Sequence, residues 1–109
     1  MLAIRIHETG GPDKLRLDQV GVPIPGAGEI RVRVEAAGVN FIDTYKRSGL
    51  YAVSLPHTIG QEAAGVVTAV GAGVTDFRVG DRVASPAVSG GYAEEAIAPA
   101  AQTVIGRLL

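Results

Sequence analysis

Few residues in this chain can do chemistry, and their types narrow the options quickly. There are two histidines, His7 and His57, far apart in sequence, and no cysteine at all. Disulfides, thiolate zinc sites and cysteine nucleophiles are therefore excluded, and a zinc site would need both histidines plus carboxylates. No metal ligand set is expected. No Ser–His–Asp triad can be assembled from what remains. Three carboxylates stand at notable places. Asp81, in Gly80-Asp81-Arg82-Val83, has the chemistry of a turn-closing side chain. Asp43 follows Asn40 by three residues, the spacing of a capping box. Glu62 borders an apolar run, where a buried carboxylate would need a partner such as Arg47 or Arg82. The densest polar group is Asn40, Tyr45 and Tyr51. The residues alone allow either a helix cap with two half-buried aromatics or a functional cluster.

Two Gly-x-Gly stretches invite comparison with a phosphate-binding loop, which needs a third glycine three residues on, opening a helix. After Gly71-Ala72-Gly73 that position is Asp76, and the Gly80-Asp81 turn follows too soon for a full helix. After Gly26-Ala27-Gly28 it is Arg31, inside a strand pattern. Both are read as plain turns, because the loop-to-helix anion site is missing.

The elements that must position these residues are mostly strands. Leu2–Ile6 alternates, with Leu2, Ile4 and Ile6 on one face. Gly10-Gly11-Pro12-Asp13 is a turn, and 15–20 returns with Leu15 and Leu17 inward. Residues 29–37 form the clearest strand: Ile30, Val32, Val34 and Ala36 alternate with Arg31, Arg33 and Glu35. Asn40 to Gly49 breaks this period. Asn40 suits an N-cap, Phe41, Ile42 and Tyr45 make an apolar stripe, Lys46 and Arg47 suit the last turn, and Gly49 suits the stop. One short helix, about 40–49, is predicted. Residues 51–60 read as a loop, 63–70 as a strand buried on both faces, and 82–85, 92–98 and the tail as further strands. The expected architecture is mainly β, a partly open barrel of six to seven short strands with one short helix.

Bulk properties bound the function further. The chain has 109 residues, enough for one domain with one modest core. Net charge is −1 with mixed signs, which gives no attraction to nucleic acid or an anionic membrane. The longest apolar run, 63–70, is too short to span a bilayer, and the N-terminus lacks a secretion-signal pattern. A cytoplasmic location is compatible with the absence of cysteine.

Several motifs in order carry a resemblance. They are Gly10-Gly11-Pro12; Pro25-Gly26-Ala27-Gly28-Glu29-Ile30-Arg31-Val32-Arg33-Val34; and Gly38-Val39-Asn40-Phe41-Ile42-Asp43-Thr44-Tyr45-Lys46-Arg47-Ser48-Gly49-Leu50-Tyr51. Then come Gly60-Gln61-Glu62-Ala63-Ala64-Gly65-Val66-Val67, Val70-Gly71-Ala72-Gly73-Val74 and Gly80-Asp81-Arg82-Val83. Over roughly residues 1–100 the chain resembles the GroES-like catalytic domain of the medium-chain dehydrogenase/reductase superfamily, in its quinone oxidoreductase (zeta-crystallin-like) branch. The resemblance implies a GroES-like barrel and hydride transfer from NADPH to a quinone. Zinc-dependent relatives carry Cys where this chain has Asn40 and His where it has Gln61, so the resemblance is to the metal-free branch. It assigns catalytic roles to Asn40, Tyr45 and Tyr51. Cofactor contacts fall to Asn40 and Tyr51, and quinone contacts to Tyr45 and Gln61.

The family continues into a nucleotide-binding Rossmann domain, and this sequence holds no glycine fingerprint. The expectation is a single domain over 1–109 that binds no cofactor alone, is inactive alone, and takes a quinone at most, as a monomer or small oligomer. The tail, about 103–109, looks like the family's final strand rejoined after loss of the Rossmann domain, by engineering or natural deletion; simple truncation is the other reading. Two other classes compete. A co-chaperonin-like ring subunit needs a long mobile loop, for which the Gly10–Asp13 turn is too short; an engineered barrel fragment would have no activity.

Overall fold

The computed structural model describes residues 1–106. Eight strands and one α-helix run in the order β1 (Leu2–Ile6), β2 (Leu15–Gln19), β3 (Glu29–Gly38), α1 (Phe41–Ser48), β4 (His57–Thr58), β5 (Glu62–Val70), β6 (Arg82–Ser85), β7 (Glu95–Pro99) and β8 (Val104–Ile105). The strand not foreseen is β4, inside the stretch read as a loop. Its two residues pair with β1, which places His57 opposite Ile6.

The sheets are β2-β1-β4 and β7-β3-β5-β6-β8. They meet where the segment before β7 runs beside β1: Ala3 bridges Ala93, Ile4 N–H donates to Tyr92 O at 2.7 Å, and Glu94 N–H donates to Leu2 O at 3.1 Å. The other edges do not close, so the molecule is a partly open barrel.

The two-residue period of β3 sorts its side chains as the sequence implied through Val34, which is half-buried, but Ala36, expected on the same face, lies past a register shift and is exposed. Ile30 and Val32 are buried, while Arg31, Arg33 and Glu35 face outward. The inner face joins Val67 of β5, Val83 of β6, and Ala96 and Ala98 of β7 in one core, closed at one end by Phe77 from the loop after β5. Each fully buried Val or Ile contributes about 1.5–3 kcal/mol relative to exposure.

Three strand readings need correction. β5 is buried on one face only, through Ala63, Gly65 and Val67; its other face is partly exposed. The outer layer there is a polar trio rather than apolar packing. Arg31 Nε donates to Thr68 Oγ1 at 3.0 Å and lies 3.2 Å from Glu95 Oε1, and the Thr68 hydroxyl donates to Glu95 Oε1 at 2.6 Å. In β2, Leu15 and Leu17 are exposed. β2 is an outermost strand, and cover on that face reaches Ile6 of β1 but leaves Leu17, paired with Ile4, in solvent. Likewise in β1 only Ile6 of the expected trio is fully buried, with Ala3 buried on the other face.

That other face of β1 and β2 holds an ion cluster. Arg5 Nε donates to Asp18 Oδ2 at 2.9 Å, and His7 Nε2 lies 2.6 Å from the same oxygen. His7 and then Arg5 hold the Asp18 carboxyl below its ordinary value of 3.8. A carboxyl depressed by folding stabilises the fold above its unfolded pKa, and this is lost as pH falls through the folded value. Acid unfolding followed by circular dichroism from pH 5 downward should therefore show an Asp18-dependent decline below pH 3.8, absent in Asp18→Asn.

Asp81 closes its turn as expected, Oδ2 accepting from Arg78 N–H at 2.9 Å. β8 pairs with β6, Ile105 opposite Val83 and Val104 opposite Ala84. Both a rejoined tail and simple truncation are compatible with that pairing; residues 107–109 of the expected tail strand lie outside the described residues.

Candidate active-site surface

α1 starts and stops where its residues dictate. Asn40 is extended (φ −124°, ψ 159°), and its backbone N–H donates to Asp43 Oδ2 at 2.9 Å. Gly49 ends the helix in the left-handed region at φ 93°, which only glycine adopts without strain. That reversal lets Tyr51 N–H donate back to Tyr45 O at 3.2 Å. The two phenol rings then meet edge to face, with centroids 5.5 Å apart, and Phe41 stacks on Tyr45 at 6.4 Å.

This aromatic group faces solvent. Phe41 is 80% exposed, Tyr51 48% and Tyr45 37%, with Val39 and Leu50 exposed beside them. Clustered exposed apolar groups of this kind mark an interaction site.

The helix is fastened at three points. Gly10 N–H donates to Arg47 O at 2.9 Å, and Arg47 Nε returns a bond to Gly10 O at 3.1 Å. Asp43 on its inner side is 4% exposed, and the Tyr92 hydroxyl donates to its Oδ2 at 3.1 Å. Lys46 Nζ lies 3.4 Å from Gln61 Oε1, while Gln61 O accepts from Val88 N–H at 2.9 Å.

The structure thus brings Tyr45 and Tyr51 into contact, places Asn40 at the start of the same helix, and ties Gln61 to it through Lys46. Two expectations about carboxylates change. Glu62 is exposed and makes no ion pair among the described residues: Arg82 goes to Glu35 at 2.9 Å, and Arg47 to the Gly10 carbonyl. The buried carboxylate is Asp43, which the sequence presented only as a cap. Its partner Tyr92 stood at the edge of a strand pattern, and nothing in the sequence linked the two. Burial and the Asp43 bond push the Tyr92 phenol up to about 12.

Neither Gly-x-Gly stretch offers an anion site. Gly71-Ala72-Gly73 leads into irregular loop, and Gly26-Ala27-Gly28 leads into β3. Gly71 is required for another reason: a Cβ there would collide with the Gly26 carbonyl oxygen. Among the described residues no three His, Cys, Asp or Glu side chains converge as metal ligands, and no helix is long and apolar enough to cross a membrane.

Residues 26–106 match the family described as the alcohol dehydrogenase GroES-like domain. The chain belongs to that family. Among characterised proteins it is similar to quinone oxidoreductases and to a 2-haloacrylate reductase. It is 50% identical over 102 residues to the quinone oxidoreductase of Lama guanicoe, covering 90% of this chain and 31% of the relative. It is 44% identical over 110 residues to 2-haloacrylate reductase of a Burkholderia species, covering 95% and 33%. The structure of Escherichia coli quinone oxidoreductase complexed with NADPH superimposes with a TM-score of 0.92 at 41% identity, over 96% of this chain and 33% of that one. The chain therefore spans about a third of the length of these relatives.

Proposed function

We propose that this domain forms the acceptor side of an NADPH-dependent quinone reductase site. The carrying observation is the exposed pair of Tyr45, on a helix capped by Asn40 and tied to Gln61, and Tyr51, just past its end. A planar quinone ring is matched by aromatic faces, which favour offset or edge contacts. The amide groups of Asn40 and Gln61 can donate to quinone carbonyl oxygens, and the tyrosine hydroxyls can donate as well. Such contacts hold the ring at a fixed distance and angle, which is the domain's contribution to hydride transfer.

The residues present do not fit the dinucleotide as a whole. Pyrophosphate binding uses a glycine loop opening a helix, and both Gly-x-Gly stretches here lead elsewhere. NADPH, when bound by a longer protein, supplies the hydride. The domain alone supplies no phosphate grip, and we assign it no turnover.

Absorbance at 340 nm with purified chain, NADPH and 1,4-benzoquinone should show oxidation at the background rate. Turnover above background would overturn the assignment of inactivity. Quinone binding is a separate matter, read from perturbation of Tyr45 and Tyr51 signals by nuclear magnetic resonance. If quinone perturbs neither ring, the acceptor-side reading fails.

A further inference from the structure

A cleft of about 420 Å3 opens between β1, β4 and the segment before β7, beside α1 but off the aromatic surface. Its polar walls carry Arg5, Lys46, His57 and Glu95, and its apolar walls include Val20, Pro23 and Val88. The charges divide unevenly. Arg5 is neutralised by Asp18 at 2.9 Å, and Glu95 by Arg31 at 3.2 Å. Lys46 has no carboxylate partner among the described residues, only the long 3.4 Å approach to Gln61. Burial and then the Lys46 ammonium push the His57 imidazole below its ordinary pKa. Lys46, with the Met1 amino terminus that also lines the cleft and donates to Val20 O at 2.6 Å, thus leaves a positive field around His57 that neither paired carboxylate balances. A ligand with one negative charge would answer that field, and the apolar walls would take a short carbon body. The amphipathic match favours a carboxylate with a carbon body over phosphate, which has no apolar part to set against Val20, Pro23 and Val88.

We propose that this cleft binds a small monocarboxylate, held by the Lys46 ammonium and the His57 imidazole. The carboxylate accepts hydrogen bonds from both, and a chain of a few carbons lies against Val20, Pro23 and Val88. Lys46 also touches Gln61, so the cleft adjoins the proposed quinone surface. The inference concerns binding alone and stands independently of any hydride transfer.

The probe is butyrate, compared with neutral butyramide at constant ionic strength, followed by amide and imidazole resonances. The acid should give saturable shifts at His57, Thr58, Ser89 and Gly90, and the amide none. Lys46→Gln should weaken binding about tenfold, the loss expected for one charge-assisted hydrogen bond. Arg16→Gln, a charge change outside the cleft, should leave affinity unchanged. A dispersed spectrum for each variant verifies folding; should Lys46→Gln fail to fold, Lys46→Arg must retain binding and His57→Gln must weaken it. Equal shifts with acid and amide, non-saturating shifts, or unchanged affinity in Lys46→Gln or His57→Gln would each overturn the proposal.

Discussion

Gly65→Ala should destabilise the domain by about 3 kcal/mol or more, although it adds one methyl group. Gly65 sits in β5 opposite Val34 of β3, next to the place where the register shifts before Ala36. A Cβ there would fall on the Arg33 carbonyl oxygen, which is backbone and cannot rotate away. The two strands would have to separate, and they form the longest pairing among the described residues. With total stabilities of roughly 5–15 kcal/mol for domains of this kind, that loss is a large share. Gly21→Ala is the internal comparison, because a Cβ at Gly21 meets nothing within 4 Å and its φ is ordinary. It should change stability by no more than about 0.5 kcal/mol. Urea unfolding of the three proteins measures the contrast, and similar midpoints for Gly65→Ala and wild type would refute the steric account.

Asp43→Ala should both loosen the helix and expose Tyr92 to titration. The substitution removes the acceptor shared by Asn40 N–H and the Tyr92 hydroxyl. Leaving those donors without a partner costs about 2 kcal/mol. The Tyr92 phenol is held at about 12 mainly by burial, then by its bond and charge contact with Asp43. A phenol raised on folding contributes stability that is fully present below its unfolded pKa, 10.0, and is lost as pH rises towards 12. In Asp43→Ala the Tyr92 titration, read at 295 nm, should move downward, and the alkaline loss of stability, which still begins near pH 10.0, should be smaller and complete at lower pH. Because Asn40 loses its anchor, quinone-induced perturbation at Tyr45 and Tyr51 should weaken in the same variant. An unchanged Tyr92 titration would show that the hydrogen bond is not formed in solution.

The elements near the site were legible because local chemistry specifies them. Asn40, Asp43 and Gly49 fix the ends of α1 through a cap, a returning carboxylate and a left-handed glycine, all within ten residues. The alternation of Ile30 and Val32 with Arg31 and Arg33 likewise marked the central strand and its inward face. β4 was not legible, because two residues carry no period; its pairing depends on where β1 lies in space. Leu15 and Leu17 misled for a related reason. Their alternation identifies a strand and a face, but whether any layer covers that face depends on the rest of the chain.

The sequence by itself determined the family, the mainly β architecture, the position of the helix, and the candidate residues Asn40, Tyr45, Tyr51 and Gln61. Motif order and short-range periodicity are properties of the chain read along its length. Only the tertiary structure decided which carboxylate is buried, since Asp43 and Tyr92 are distant in sequence and meet through packing. It also decided that Tyr45 and Tyr51 touch, that Glu62 stays in water, and that Lys46 and His57 share a cleft with their charge unbalanced. Burial and charge compensation are set by neighbours from other strands, and a sequence pattern carries no record of which neighbours those are.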